Sequence, residues 1–214
     1  MDRSRLAVVI PAYNEEAAIA KVVASVRERA TVVVVDDGSS DNTASAAEAA
    51  GARVVRHDEN LGYDAALNSG FAEASRLACD LVVTMYGDGQ HDPALLDAFA
   101  AALRERCDVV LGIRPRCGRF TEMLFGWAAR LRFGIRDPLC GMRGFRMGVY
   151  RALGHYDSYK SIGTELMLFA AKRGDRIEQM PVPVKPRAAG ASRFGHTLRA
   201  NLRILRALFL GLFT

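Results

Sequence analysis

Five short apolar runs, separated by alanine-rich stretches of helical length, constrain this chain more than any other feature. The runs are Leu6–Ile10, Val32–Val35, Ala52–Val55, Leu81–Met85 and Val109–Ile113. Each is short, apolar and rich in β-branched residues, so each reads as a buried strand. Glu16–Arg29, Ser40–Ala50, Asp64–Leu77 and Pro93–Arg106 read as the helices between them. Ser40 or Asp41 suits an N-cap, and Pro93 suits a first turn, where its missing N–H is no loss. Strands alternating with helices build an α/β fold, a mostly parallel central sheet with helices on both faces. Ligands of such sheets gather outside the carboxyl ends of the strands, where strand order reverses.

The second half is less regular. Thr121–Phe133 and Gly163–Arg173 read as helices, and Ile177–Val184 as a strand whose two prolines call for a sheet edge. A Gly/Ala/Arg loop spans Pro186–Gly195. The expected organisation is one domain over 1–195 and a basic amphipathic helix over 196–214. In that helix Leu198, Leu202, Leu205, Phe209 and Leu212 form an apolar stripe, widened by Ile204 and Leu208. Arg199, Arg203 and Arg206 form a second stripe at the same spacing. Such a helix lies in the surface of an anionic bilayer, or it packs on the domain or on a dimer partner.

Charge divides the chain in the same place. Residues 1–113 carry 10 Lys+Arg against 18 Asp+Glu, a net of −8, whereas residues 114–214 carry 19 against 6, a net of +13. A cationic half implies an anionic partner, whether phosphate groups, acidic lipid or nucleic acid. No nucleic-acid motif or basic–aromatic platform accompanies the charge, so nucleic acid is not expected. The apolar run at the N-terminus breaks after six residues, so no signal peptide is expected. No stretch approaches the roughly 20 apolar residues that cross a bilayer. Cys79, Cys107, Cys117 and Cys140 lie too far apart for a CxxC pattern and read as reduced thiols of a cytoplasmic protein.

Polar chemistry follows the strands. The clusters are Pro11-Ala12-Tyr13-Asn14-Glu15-Glu16, Asp36-Asp37-Gly38-Ser39-Ser40-Asp41, Gly87-Asp88-Gly89-Gln90-His91, and Arg114. Any one of these could be only a turn and a cap. Four at successive strand ends can hold ribose hydroxyls, a base edge and a divalent cation, because Mg²⁺ or Mn²⁺ bridges one or two carboxylates to substrate phosphates.

The chain resembles the inverting glycosyltransferases of the GT-A (Rossmann-like) fold, and within them the dolichyl-phosphate mannose synthase-like, or polyprenyl-phosphate glycosyltransferase, group. The resemblance rests on VVIPAYNEE (8–16), VVDDGSSDNT (34–43), NLGYDAALNSG (60–70), YGDGQHDP (86–93), DPLCGMRGFR (137–146) and PVPVKPRAAGASRFG (181–195). It implies that Pro11, Tyr13, Glu15 and Asp37 bind the nucleoside of a nucleotide-sugar donor, and that Asp88 and Gln90 form the metal and diphosphate site. Arg114, Arg187 and Arg193 match basic positions around the donor diphosphate and an acceptor phosphate. Asp137 opens the acceptor-side segment. The implied reaction moves a hexose from GDP-mannose or a UDP-hexose to a polyprenyl or dolichyl phosphate, with inversion, using Mg²⁺ or Mn²⁺ at the cytoplasmic face of a membrane. The alternatives are a soluble or glycan hydroxyl acceptor, and a non-catalytic sugar-nucleotide-binding protein.

Two positions depart from the family pattern. Tyr86 stands where the metal motif commonly has its first acid, and Arg193 where lysine is usual. Asp137 and then Glu165, read as an acid in mid-helix, are the candidate bases a hydroxyl acceptor would need. His91 reads as an exposed loop histidine. Trp127 and the surrounding 120–133 segment read as core or as lining of an acceptor groove.

Overall fold

The computed structural model describes residues 5–115, 119–183 and 198–213. The strands are β1 (Leu6–Ala12), β2 (Thr31–Asp36), β3 (Arg53–Arg56), β4 (Leu81–Thr84), β5 (Val109–Ile113), β6 (Arg143–Arg146) and β7 (Ile177–Pro181). The helices are α1 (Glu16–Val26), α2 (Thr43–Ala49), α3 (Tyr63–Arg76), α4 (Leu95–Glu105), α5 (Phe120–Phe133), α6 (Met147–Leu153), α7 (Glu165–Arg173) and α8 (Leu198–Phe213).

All seven strands share one sheet in the order β3-β2-β1-β4-β6-β5-β7. Every pairing is parallel except those of β6, which runs antiparallel to both β4 and β5. The valines of β2 show why the sheet is covered twice. Val33 and Val35 enter the core beneath α3 and α7, while Val32 and Val34 enter the core beneath α1 and α4. A strand buried on both faces has no polar side to show, so its sequence reads as a continuous apolar run.

Most of the expected elements are present, with local differences. Pro11 lies inside β1, opposite Val35. It is tolerated there because the pairing of β1 with β4 ends at Val9, so its missing N–H leaves no β4 carbonyl waiting. The helix expected from Ser40 starts at Thr43, after Asp41 has accepted hydrogen bonds from the Thr43 N–H and hydroxyl. Pro93 lies just ahead of α4, which starts at Leu95. Strand β7 takes the sheet edge its prolines require but ends at Pro181.

Strand β6 and helix α6 carry no pattern that announces them. The strand is only Arg-Gly-Phe-Arg, and it is admitted because Phe145 is fully buried and Arg143 finds partners inside the protein. Helix α8 packs along α5 and places Ile204 and Ala207 in the same apolar cluster as Phe71 of α3 and Leu166 of α7. Cys79, Cys107 and Cys140 are free thiols in the core. Among the described residues no helix is long and apolar enough to cross a membrane.

Candidate active site at the strand ends

Strand order reverses between β1 and β4, and the loops after β1, β2 and β4 meet there. Hydrogen bonds knit the first two together. The Asn14 N–H donates to Ser39 Oγ at 2.8 Å, the Ser40 N–H donates to Asn14 Oδ1 at 2.8 Å, and the Glu15 N–H donates to Thr43 Oγ1 at 2.7 Å. Pro11, Tyr13 and Glu15 thus stand on one braced ledge beside Asp37. The Asp37 side chain is buried, and three internal donors hold it. These are His57 Nδ1 at 2.7 Å and the backbone N–H groups of Leu61 and Gly62 at 2.9 and 2.8 Å. Asp37 therefore ties the 57–62 loop that follows β3 to the carboxyl end of β2, with His57 in turn 2.8 Å from Ser69 Oγ. The sequence shows no sign of the His57 pairing, because 20 residues separate the partners and adjacent strands β2 and β3 join them.

Asp88 is 2% exposed, and its Oδ1 accepts the Gln90 N–H at 3.0 Å. Its carboxylate and the Gln90 amide are hard oxygen donors. The described residues hold no group of three His, Cys, Asp or Glu able to grip a metal unaided. The pair fits a Mg²⁺ or Mn²⁺ that takes its other ligands from a diphosphate and water, since such ions commonly need only one or two protein carboxylates.

The residues around Tyr86 explain how an aromatic side chain stands beside Asp88. Its ring stacks on His91 at 4.5 Å and 19°, and its N–H donates to His91 Nδ1 at 3.2 Å. Tyr63, 6.4 Å away between ring centroids, and Gly141 also lie beside it. A Cβ at Gly141 would lie 2.1 Å from Tyr86 Cζ, so only glycine leaves room for the ring. Burial pushes the Tyr86 phenol up to about 12, and it stays neutral. His91 is therefore not the exposed loop residue expected. It is 3% exposed, and burial, with the Arg114 charge second, pushes its pKa down to about 4. With Nδ1 accepting, its proton sits on Nε2, which is buried and has no hydrogen-bond partner among the described residues.

Because β6 runs backwards, with Arg143 opposite Thr84, the preceding segment 137–142 arrives at the same edge. Asp137 clasps Arg114 there, Oδ2 accepting Nε at 2.8 Å and Oδ1 accepting Nη2 at 2.9 Å. Glu122 of α5 takes a second contact from Arg114 Nη2 at 3.2 Å. Burial alone would raise the Asp137 carboxyl, but Arg114 outweighs it and holds the group below the usual carboxylate range.

Arg143 was not expected to matter and is fully buried. It donates to the carbonyls of Cys140 and Pro138, each at 2.8 Å, to Gly163 O, and to the Tyr156 hydroxyl at 3.3 Å. Two further carboxylates, Asp64 and Asp157, lie nearby. Burial and then the charge of Asp157 lift Asp64 to about 6. Glu165 is the first residue of α7, not a mid-helix acid. It accepts from His155 Nε2 at 2.8 Å and from Ser158 Oγ at 3.0 Å, fastening the 155–158 loop. Arg187 and Arg193 lie outside the described residues. The 120–133 segment splits in two: Phe125 and Ala129 are core, but Phe120, Met123, Trp127 and Leu131 stand in solvent.

Residues 7–153 match the family described as glycosyl transferase family 2. The chain belongs to that family. A dolichyl-phosphate hexose transferase of Haloferax volcanii is 34% identical over 199 residues, covering 86% of this chain and 84% of the relative. An uncharacterized glycosyltransferase of Mycobacterium tuberculosis is 29% identical over 204 residues, covering 91% and 92%. Among solved structures, the glucosyl-3-phosphoglycerate synthase of M. tuberculosis with Mn²⁺, UDP and glucosyl-3-phosphoglycerate aligns with a TM-score of 0.79. It is 25% identical, with 98% of this chain and 80% of that one covered. The GT-A fold and a transferase activity follow from these matches together with the sheet described above.

Proposed function

We propose that this glycosyltransferase moves a hexose from a nucleotide sugar, GDP-mannose or a UDP-hexose, to a polyprenyl or dolichyl phosphate with inversion at the anomeric carbon. The observation that carries the reading is the meeting of Asp88 and Gln90 with the Arg114–Asp137 pair at one sheet edge. One loop offers oxygen ligands and the next a guanidinium, as a departing diphosphate and an anionic acceptor require. The dolichyl-phosphate relative supports the choice of acceptor.

In this reading Pro11, Tyr13, Glu15 and Asp37 hold the nucleoside. Asp88 and Gln90 would hold Mg²⁺ or Mn²⁺, which when bound neutralises charge on the leaving diphosphate. The acceptor phosphate oxygen forms its bond to the anomeric carbon as the bond to the diphosphate oxygen breaks on the opposite face. Arg114 steadies phosphate charge, aided by Arg187 and Arg193. Asp137 keeps the Arg114 fork in place, and Glu165 shapes the 155–158 loop. A phosphate acceptor is already anionic at neutral pH, so positioning takes the place of a general base. The enzyme would work at the cytoplasmic face of a membrane.

Labelled GDP-mannose or UDP-glucose, Mn²⁺ and polyprenyl phosphate supplied to the purified protein should yield label in the organic phase. The likeness to glucosyl-3-phosphoglycerate synthase favours a second reading, a soluble phosphorylated acceptor. Label that appears only on such an acceptor would select that reading. Nucleotide binding without turnover on any acceptor would mark a binding protein.

A further inference from the structure

Among the described residues nine large hydrophobic side chains are exposed, and seven of them lie on α5 and α8. Scattered exposed apolar residues need no explanation, but a concentrated patch does. On α5 the stripe is Phe120, Met123, Trp127 and Leu131, 60–77% exposed, while Thr121, Phe125 and Ala129 face the core. On α8 it is Leu202, Leu205 and Phe209, while Ile204 and Ala207 are buried. Both stripes follow the spacing of three and four that keeps residues on one helix face. The helices pack together and are joined by Thr121 Oγ1 donating to Asn201 Oδ1 at 2.8 Å.

We infer that the α5–α8 pair is a docking platform for the interfacial layer of an anionic bilayer. The charges around it decide the occupant. Arg130 and Arg132 on α5 and Arg203 and Arg206 on α8 are exposed beside the stripes. The one acid in the two helices, Glu122, turns inward to Arg114 and Arg119. A second copy of this surface would bring arginines against arginines, whereas anionic headgroups meet all of them favourably. An apolar face carrying a tryptophan and fringed by cations suits the headgroup–acyl boundary. The platform also shares a helix with the site. The inner side of α5 holds Arg114 through Glu122, so the helix whose outer face meets the bilayer also braces, from its inner face, the arginine assigned to phosphate. The surface stands on its own observations; only its link to the acceptor rests on the lipid-phosphate reading.

Trp127 is the only tryptophan of the chain and reports on the platform directly. With vesicles of mixed phosphatidylglycerol and phosphatidylcholine, its emission should shift to the blue and be quenched by brominated acyl chains. Binding should weaken at least tenfold with phosphatidylcholine alone. Replacing Met123, Phe209 and Leu131 together by Ser should weaken vesicle binding by a further factor of ten or more, while nucleotide and Mn²⁺ still raise the melting temperature as in the native protein. Trp127 emission unmoved by anionic vesicles would overturn the platform, as would a stable dimer that shields Trp127 from aqueous quencher. Vesicle binding without transfer to polyprenyl phosphate would uphold the platform and remove the acceptor reading instead.

Discussion

The β3-β2-β1-β4 half of the sheet and the β6-β5-β7 half are held together differently. In the first, parallel ladders run through valines buried on both faces, and the loops at the strand ends are tied by hydrogen bonds such as Asn14–Ser39 and Glu15–Thr43. In the second, an antiparallel strand of two arginines, a glycine and a phenylalanine is inserted between β4 and β5. Guanidinium groups organise the loops around it, Arg143 collecting three carbonyls and a hydroxyl and Arg114 clasping Asp137. The strands of the first half owe their order chiefly to apolar area, which is non-directional and tolerates small changes. The segments around β6 in the second half add a dependence on polar groups, whose partners are costly to lose once buried.

Arg143→Met tests that contrast most severely. It strands buried acceptors in the second half, and urea unfolding should show a loss of about 3–5 kcal/mol. A similar apolar change in the first half, Val33→Ala, should cost about half as much. Asp88→Ala acts in the opposite sense, on chemistry more than on stability. Turnover with Mn²⁺ should fall at least 100-fold, about 3 kcal/mol in the barrier, with little change in melting temperature. Chelating the metal from the native enzyme should have the same kinetic effect.

The contact between the halves is testable where Tyr86 meets Gly141. Gly141→Ala should destabilise by about 1–3 kcal/mol, and most of that cost should vanish in a Tyr86→Ala background. A double-mutant cycle measures the coupling, and additive losses would show that the two residues do not press on each other.

The smallest effect concerns pH. Asp64 titrates near 6 in the native protein, against about 3.9 when exposed. The native state thus keeps a proton that the unfolded chain releases, and the stability Asp64 lends is lost as pH rises from about 4 through 6. Asp64→Asn cannot ionise. It should be more stable than the native protein at pH 7.5 by roughly 1–3 kcal/mol, with the two converging near pH 4 in thermal melts.

Much of this was open to reading from the chain. Five of the seven strands and the four helices between them follow from hydrophobic runs, and the polar clusters behind those runs point to the strand-end crevice. The edge strand was visible through its prolines. Strand β6 was not, because four residues with two arginines show neither apolar run nor alternation. Nor was the inward turn of His91, since a loop sequence does not show which ring its histidine will stack on. The split of 120–133 into a buried and an exposed side likewise depended on what α8 came to cover.

Local pattern alone settled the alternating α/β class, the acidic and basic halves, and the loops that carry the polar clusters. Each of those properties belongs to residues close in sequence. Only the tertiary structure decided that Asp37 pairs with His57, that Arg114 belongs to Asp137, that Tyr86 needs a glycine at 141, and that two helices share one apolar face. Those contacts join residues from 20 to more than 50 positions apart, or, for the helices, elements some 80 residues apart. Their strength depends on burial, a property a side chain acquires when distant elements close over it.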